Sequence, residues 1–158
     1  MGDYMKIDFK TLFISILIPV FLGSFVGFLT APYNNYNDFV QPAFAPPAIV
    51  FPIVWTILYT LMGISSYIIV KSDDSNKNEA LFIYGIQLVI NLFWSIWFFV
   101  FQFYFLSFIW ILLLIGFVVV MIRKFYDISK ISAYLQIPYL VWLIFASVLN
   151  FSIWILNM

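Results

Sequence analysis

ALFIYGIQLVINLFWSIWFFVFQFYFLSFIWILLLIGFVVVMI, Ala80 to Ile122, contains no Asp, Glu, Lys or Arg. A helix crosses the hydrocarbon core of a bilayer with about 20 mostly apolar residues, and this run is about twice that long. It reads as two spans, Ala80–Phe101 and Phe105–Ile122, joined by a tight turn at Gln102, Phe103 and Tyr104. Three more uncharged runs of span length flank it: Thr11–Thr30, Pro46–Val70 and Ile131–Leu156. The fold class is therefore an all-α integral membrane protein, a bundle of five transmembrane helices that uses residues 1–158 as a single domain.

Composition agrees. The 158 residues are 65% hydrophobic and 9% charged, against about 45–50% and about 25% in an ordinary soluble domain. Cysteine and histidine are both absent, which removes disulfides, thiolate chemistry, the usual zinc sites and imidazole catalysis. Seven basic and seven acidic residues give zero net charge, so no nucleic-acid footprint exists and the partner medium is membrane lipid.

The first apolar run follows Lys6 and Lys10 and ends near Leu29-Thr30-Ala31, a faint cleavage pattern. Signal h-regions run only about 7–15 residues, so the run reads as an uncleaved anchor. With five spans, Lys6, Lys10, Lys71, Lys77, Arg123, Lys124 and Lys130 all fall on one side. These are all the basic residues of the chain, and a complete partition over short loops places the amino terminus in the cytoplasm. Opposite lies the loop APYNNYNDFVQPAFA, Ala31 to Ala45, which reads as a lid. Pro46 and Pro47 suit the first turn of the second helix, where a missing N–H costs nothing. Pro138 would kink the fifth span if that helix begins at Ile131.

No charged residue lies inside any of these spans, which argues against carboxylate-based ion pumping or proton coupling. Hydroxyl nucleophiles have no histidine or intramembrane carboxylate to serve as base. What remains are polar and aromatic faces. Gln87, Asn91, Ser95 and Gln102 recur near helical spacing beside Trp94 and Phe98. They serve either interhelical hydrogen bonding, worth about 0.6 kcal/mol each on average in membranes, or ligand contact, and Asn150 reads the same way. Trp55, Tyr59, Met62 and Ser66 share one face of the second helix; Tyr139, Trp142, Ala146 and Asn150 share one of the fifth. Two such faces can enclose a flat ligand. Trp97, Trp110 and Trp154 read as interfacial anchors. Gly23 and Gly27 form a GxxxG that allows close helix approach, within the bundle or between copies.

The run QPAFAPPAIVFPIVWTILYTLMGISSY, Gln41 to Tyr67, resembles the signature of the translocator protein family, also called tryptophan-rich sensory proteins. QLVINLFWSIWFF, Gln87 to Phe99, and PYLVWLIFASVLNFSIW, Pro138 to Trp154, resemble the family's third and fifth helices. The three runs come in the family's order and cover nearly the whole chain. The resemblance implies a five-helix bundle, often a homodimer, with a pocket beneath the first loop that takes porphyrins, cholesterol-like lipids and benzodiazepine-site ligands. By matching motif positions it implies Pro47, Ile49, Phe51, Trp55, Asn91, Trp94, Trp142, Ala146, Leu149 and Asn150 as pocket residues.

This sequence departs from the animal pattern. Trp110 stands where several animal members carry an acidic residue, and Phe151 and Ile155 replace the Tyr and Arg of the cholesterol motif. With the short ends, these departures point to a bacterial member, in the cell membrane, handling tetrapyrroles. Three roles follow: binding a protoporphyrin-like tetrapyrrole, with light- and oxygen-dependent breakdown through Trp55 and Trp142; carrying porphyrin or lipid without chemistry; or regulating a protein partner. The absence of histidine excludes imidazole ligation of haem iron, so metal-free porphyrin fits best. No cofactor and no metal is called for.

Overall fold

Proline and glycine decide how the first two helices of this computed structural model, which describes residues 7–158, come together. Helix α1 spans Phe9–Thr30 and runs through Pro19 without a break. A proline lacks the N–H that would bond the carbonyl four residues back, so the Ser15 carbonyl loses its helical partner. Gly63 of α2 (Val50–Val70) packs against that point. A Cβ at position 63 would overlap the Ile16 Cα and stand 2.7 Å from the Ser15 oxygen. The backbone-to-backbone approach thus rests on Gly63, and of the Gly23–Gly27 pair only Gly23 is in close contact with α2. Gly23 accommodates the Tyr59 ring, and a Cβ at Gly27 would meet nothing within 4 Å.

The amino end of α1 is capped by Asp8. Its carboxylate accepts from the Thr11 amide at 3.1 Å and the Thr11 hydroxyl at 2.7 Å, and Lys71 stands 3.5 Å away. The Thr11 hydroxyl, then its amide, hold the Asp8 carboxyl below the usual carboxylate range. A depressed folded value means the cap is fully formed above the ordinary carboxylate pKa, and is lost only as pH falls through the lowered one.

Helix α3 (Lys77–Ser95) ends in a π-helical turn, Ile96–Val100, where the Phe101 amide bonds back to Ile96. Gln102 follows with φ 54°, a left-handed conformation that non-glycine residues seldom adopt. It reverses the chain into α4 (Tyr104–Ile128), so the turn occupies the stretch expected from sequence. Gln102 is exposed at this turn rather than continuing the polar face of α3. Helix α4 runs past Ile122 through Arg123 and Lys124, whose charged ends need only leave the hydrocarbon; Lys124 pairs with Glu79 at 2.7 Å.

The fifth span is two helices, α5 (Lys130–Tyr134) and α6 (Ile137–Leu156). Pro138 sits in the first turn of α6, so it starts a helix instead of kinking one. In α2 the corresponding expectation shifts: Pro46 and Pro47 precede the helix, which begins at Val50 once the Val50 amide has bonded to the Pro47 carbonyl.

The helices close into a ring. Helix α1 packs on α2, α2 on α5, α6 on α4, α4 on α3, and α3 returns to α1. Ser65 and Ser132 each donate to the other's carbonyl at 2.8 Å, joining α2 to α5. Helices α2 and α6 meet through large aromatic side chains, Trp55 with Tyr139 and Phe51 with Trp142. Five helices or helix pairs among the described residues are long and apolar enough to cross a membrane, and no strand occurs among those residues. The Phe-rich outer face of α1, including Phe13, Phe21 and Phe28, is exposed, as lipid contact requires. The chain is an integral membrane protein. Lys10, Lys71, Lys77, Arg123, Lys124 and Lys130 gather at the end of the bundle where α1, α3 and α5 begin and α2 and α4 finish; Lys6 lies outside the described residues.

Candidate functional site

Between α1 and the α2–α3 pair, beneath the first loop, lies a cavity of about 420 Å³, within the 300–1,000 Å³ usual for small-molecule sites. Its α2 wall carries Phe51, Trp55 and Tyr59, its α3 wall Asn91, Trp94 and Ser95, and its α1 wall Ser24, Gly27 and Thr30. Ser24, Gly27, Pro52 and Thr56 keep substantial exposure, so the cavity is open along part of its length.

The aromatic wall is ordered by its own contacts. Trp55 stacks on Tyr59 with centroids 5.3 Å apart and meets Tyr139 edge-on. Trp94 stacks on Phe98, and its indole N–H donates to Asn150 Oδ1 at 3.1 Å. Asn150 in turn donates to the Tyr104 carbonyl at 2.9 Å.

Of the ten residues that the family resemblance implies, Phe51, Trp55, Asn91 and Trp94 lie on this wall. Trp142 and Ala146 lie behind it, on a second void of about 10 Å³ that shares those same four residues. That void is too small for a ligand, and Phe51 and Trp55 form the partition. Four residues border neither space. Pro47 and Ile49 are exposed in the approach to α2. Leu149 packs in a core cluster with Phe98 and Ile153. Asn150, 1% exposed, already has both amide ends bonded.

Sequence reading did not find the contribution of α1. The signal was there in the small residues Gly23, Ser24, Gly27 and Thr30 along one side, but such a stripe serves packing equally well. It also missed the loop's anchor. Tyr36 is buried against Phe39 and Phe51 and donates to the Pro46 carbonyl at 3.0 Å. Burial pushes its phenol above the usual range. Phe39 rests on Phe98 and Tyr104. The far edge of the loop is held by Asn157, which accepts from the Val40 amide and donates to its carbonyl, both at 2.9 Å. The loop thus covers the bundle's end with aromatic side chains.

Trp110 differs from an interfacial anchor. Its N–H donates to the Ile90 carbonyl at 2.8 Å, tying α4 to α3. No group of three or more potential metal-ligating side chains occurs among the described residues.

Residues 15–155 match the TspO/MBR family. The chain is 40% identical to the tryptophan-rich protein TspO of Chlorobaculum tepidum, covering 77% of this chain and 78% of that one. It is 37% identical to the tryptophan-rich protein TspO of Archaeoglobus fulgidus over 90% and 94%. With the human translocator protein it shares 31% identity over 84% and 82%.

Proposed function

Because the chain belongs to the TspO/MBR family, we propose that it binds a flat, largely apolar ligand of the protoporphyrin type in the cavity between α1, α2 and α3. The observation that carries this reading is the Trp55–Tyr59 stack beside Asn91 on the wall of a mostly apolar cavity. Indole and phenol faces offer stacking area to a macrocycle, and a few polar groups orient it. The open side toward Ser24 and Gly27 gives room for a ring system larger than the enclosed volume. Trp142 becomes a contact only where Phe51 and Trp55 swing aside.

A second reading is light- and oxygen-dependent breakdown of the bound porphyrin. It is favoured by Trp55 standing directly on the wall, since an indole is readily oxidised by an excited porphyrin or by the oxygen species it generates. Trp55→Phe preserves much of the stacking area and separates the two readings. In lipid nanodiscs we expect protoporphyrin to quench indole fluorescence saturably in both forms, with protein-dependent bleaching under light lost in Trp55→Phe. Trp142→Phe, behind the partition, should lose less. Bleaching at the parent rate in both variants would remove the enzymatic reading and leave binding or transport.

The reading also places the amino terminus in the cytoplasm of a bacterial cell, on the basic end of the bundle. A cysteine introduced beside Asp38 should react with an impermeant maleimide from outside intact cells. Reaction only after lysis would reverse the orientation.

A further inference from the structure

Four side chains at the centre of the bundle form a single file of hydrogen bonds. The Tyr59 hydroxyl donates to Asn91 Oδ1 at 2.7 Å, Asn91 Nδ2 donates to the Tyr139 hydroxyl at 3.0 Å, and the Tyr139 hydroxyl donates to Gln87 Oε1 at 2.9 Å. The file starts at the cavity, because Tyr59 and Asn91 both line it. It ends in the core, where Tyr139 is 1% and Gln87 0% exposed. At that inner end Gln87 Nε2 is buried with no partner.

This arrangement is reversible. Each hydroxyl both donates and accepts, and each carboxamide carries a donor and an acceptor of nearly the same shape. Half-turns of the two amides produce the opposite file: Gln87 Nε2 to Tyr139, Tyr139 to Asn91 Oδ1, Asn91 Nδ2 to Tyr59. The number of bonds is unchanged. An unpaired N–H at Gln87 is exchanged for an unpaired carbonyl oxygen, the exchange that buried polar groups tolerate better.

At the cavity the two directions differ. In the first, the Tyr59 proton is held by Asn91 and the phenol oxygen offers a lone pair. In the second, that oxygen accepts from Asn91 and the proton is free to donate. We infer that Gln87 and Tyr139, which do not line the main cavity, select whether Tyr59 receives an N–H or O–H donor or a carbonyl or carboxylate acceptor, and that the parent protein takes both by reversing the file. The inference rests on the cavity being a ligand site, and it adds a polar specificity to that site. A tetrapyrrole carries both kinds of group.

Carbazole and 9-fluorenone test it. They are flat tricycles of one outline, with an N–H and a carbonyl respectively at the same position. The parent in nanodiscs should bind both. In Gln87→Met the Tyr139 proton has only Asn91 Oδ1 to turn to, which fixes the reverse direction. Fluorenone binding should then persist while carbazole weakens about tenfold or more, the consequence of meeting a donor with a donor. Gln87→Leu makes the same prediction with different packing. Adding Tyr139→Phe to Gln87→Met frees Asn91 and should restore carbazole binding, a recovery that a packing defect would not give. Equal weakening of both probes in the position-87 variants, or no recovery in the double variant, overturns the relay while leaving the cavity reading intact. A parent that binds neither probe saturably overturns the cavity reading, and the relay with it.

Discussion

Gly27→Phe should abolish ligand binding while leaving the bundle folded. Gly27 lines the cavity, and a Cβ there meets nothing within 4 Å, so a benzyl group starts from open space at the cavity wall. It occupies the room a ligand needs beside Trp55. We expect affinity for protoporphyrin to fall at least about a hundredfold, equivalent to about 3 kcal/mol. The melting temperature in nanodiscs should shift little. Ser95→Trp, entering from the α3 wall, should act alike. Unchanged affinity in both variants would place the ligand elsewhere.

The opposite behaviour is expected one helix away. Gly63→Ala adds only a methyl group, but that methyl lands on the α1 backbone at Ser15 and Ile16. No rotamer change relieves a collision with main chain, so α1 must move off α2. Overpacking ordinarily costs 1–3 kcal/mol, and this site should lie at the upper end, at about 3 kcal/mol. Gly23→Ala makes the contrast. Its methyl meets the Tyr59 ring rather than main chain, and the ring can give way toward the cavity it lines at the cost of its stack on Trp55 and its bond to Asn91, so a smaller loss is expected. Thermal unfolding of the two variants side by side measures the difference. Equal losses would mean that α1 and α2 are not held by the Gly63 contact.

These expectations show where sequence reading succeeds in this protein and where it stops. The spans are legible because lipid permits only apolar residues over a fixed length, and the turn at Gln102 follows because no single helix of that length fits the bilayer. Helix ends are less legible. Proline fits both the first turn of a helix and the loop before it, so Pro46 and Pro47 do not locate the start of α2. Arg123 and Lys124 mark where the hydrocarbon ends, but α4 continues beyond them. Helical periodicity brings Trp55 and Tyr59, or Tyr139 and Trp142, onto common faces. It does not tell whether the space between two such faces is filled. Here Phe51 and Trp55 fill it, so Trp142 and Ala146 lie behind the wall and the open volume falls on the α1 side. Asn150 illustrates the same limit. A polar residue in a span can bind a ligand or its neighbours, and only the bonds to Trp94 and Tyr104 distinguish the two.

The ligand cavity itself is best tested by determining the structure of the protein in lipid with protoporphyrin IX bound. The macrocycle should lie between α1 and α3, with a face against Trp55 and an edge within hydrogen-bonding distance of Tyr59 or Asn91. Density for it on the outer, lipid-facing surface, with the cavity beside Trp55 unfilled, would contradict the account.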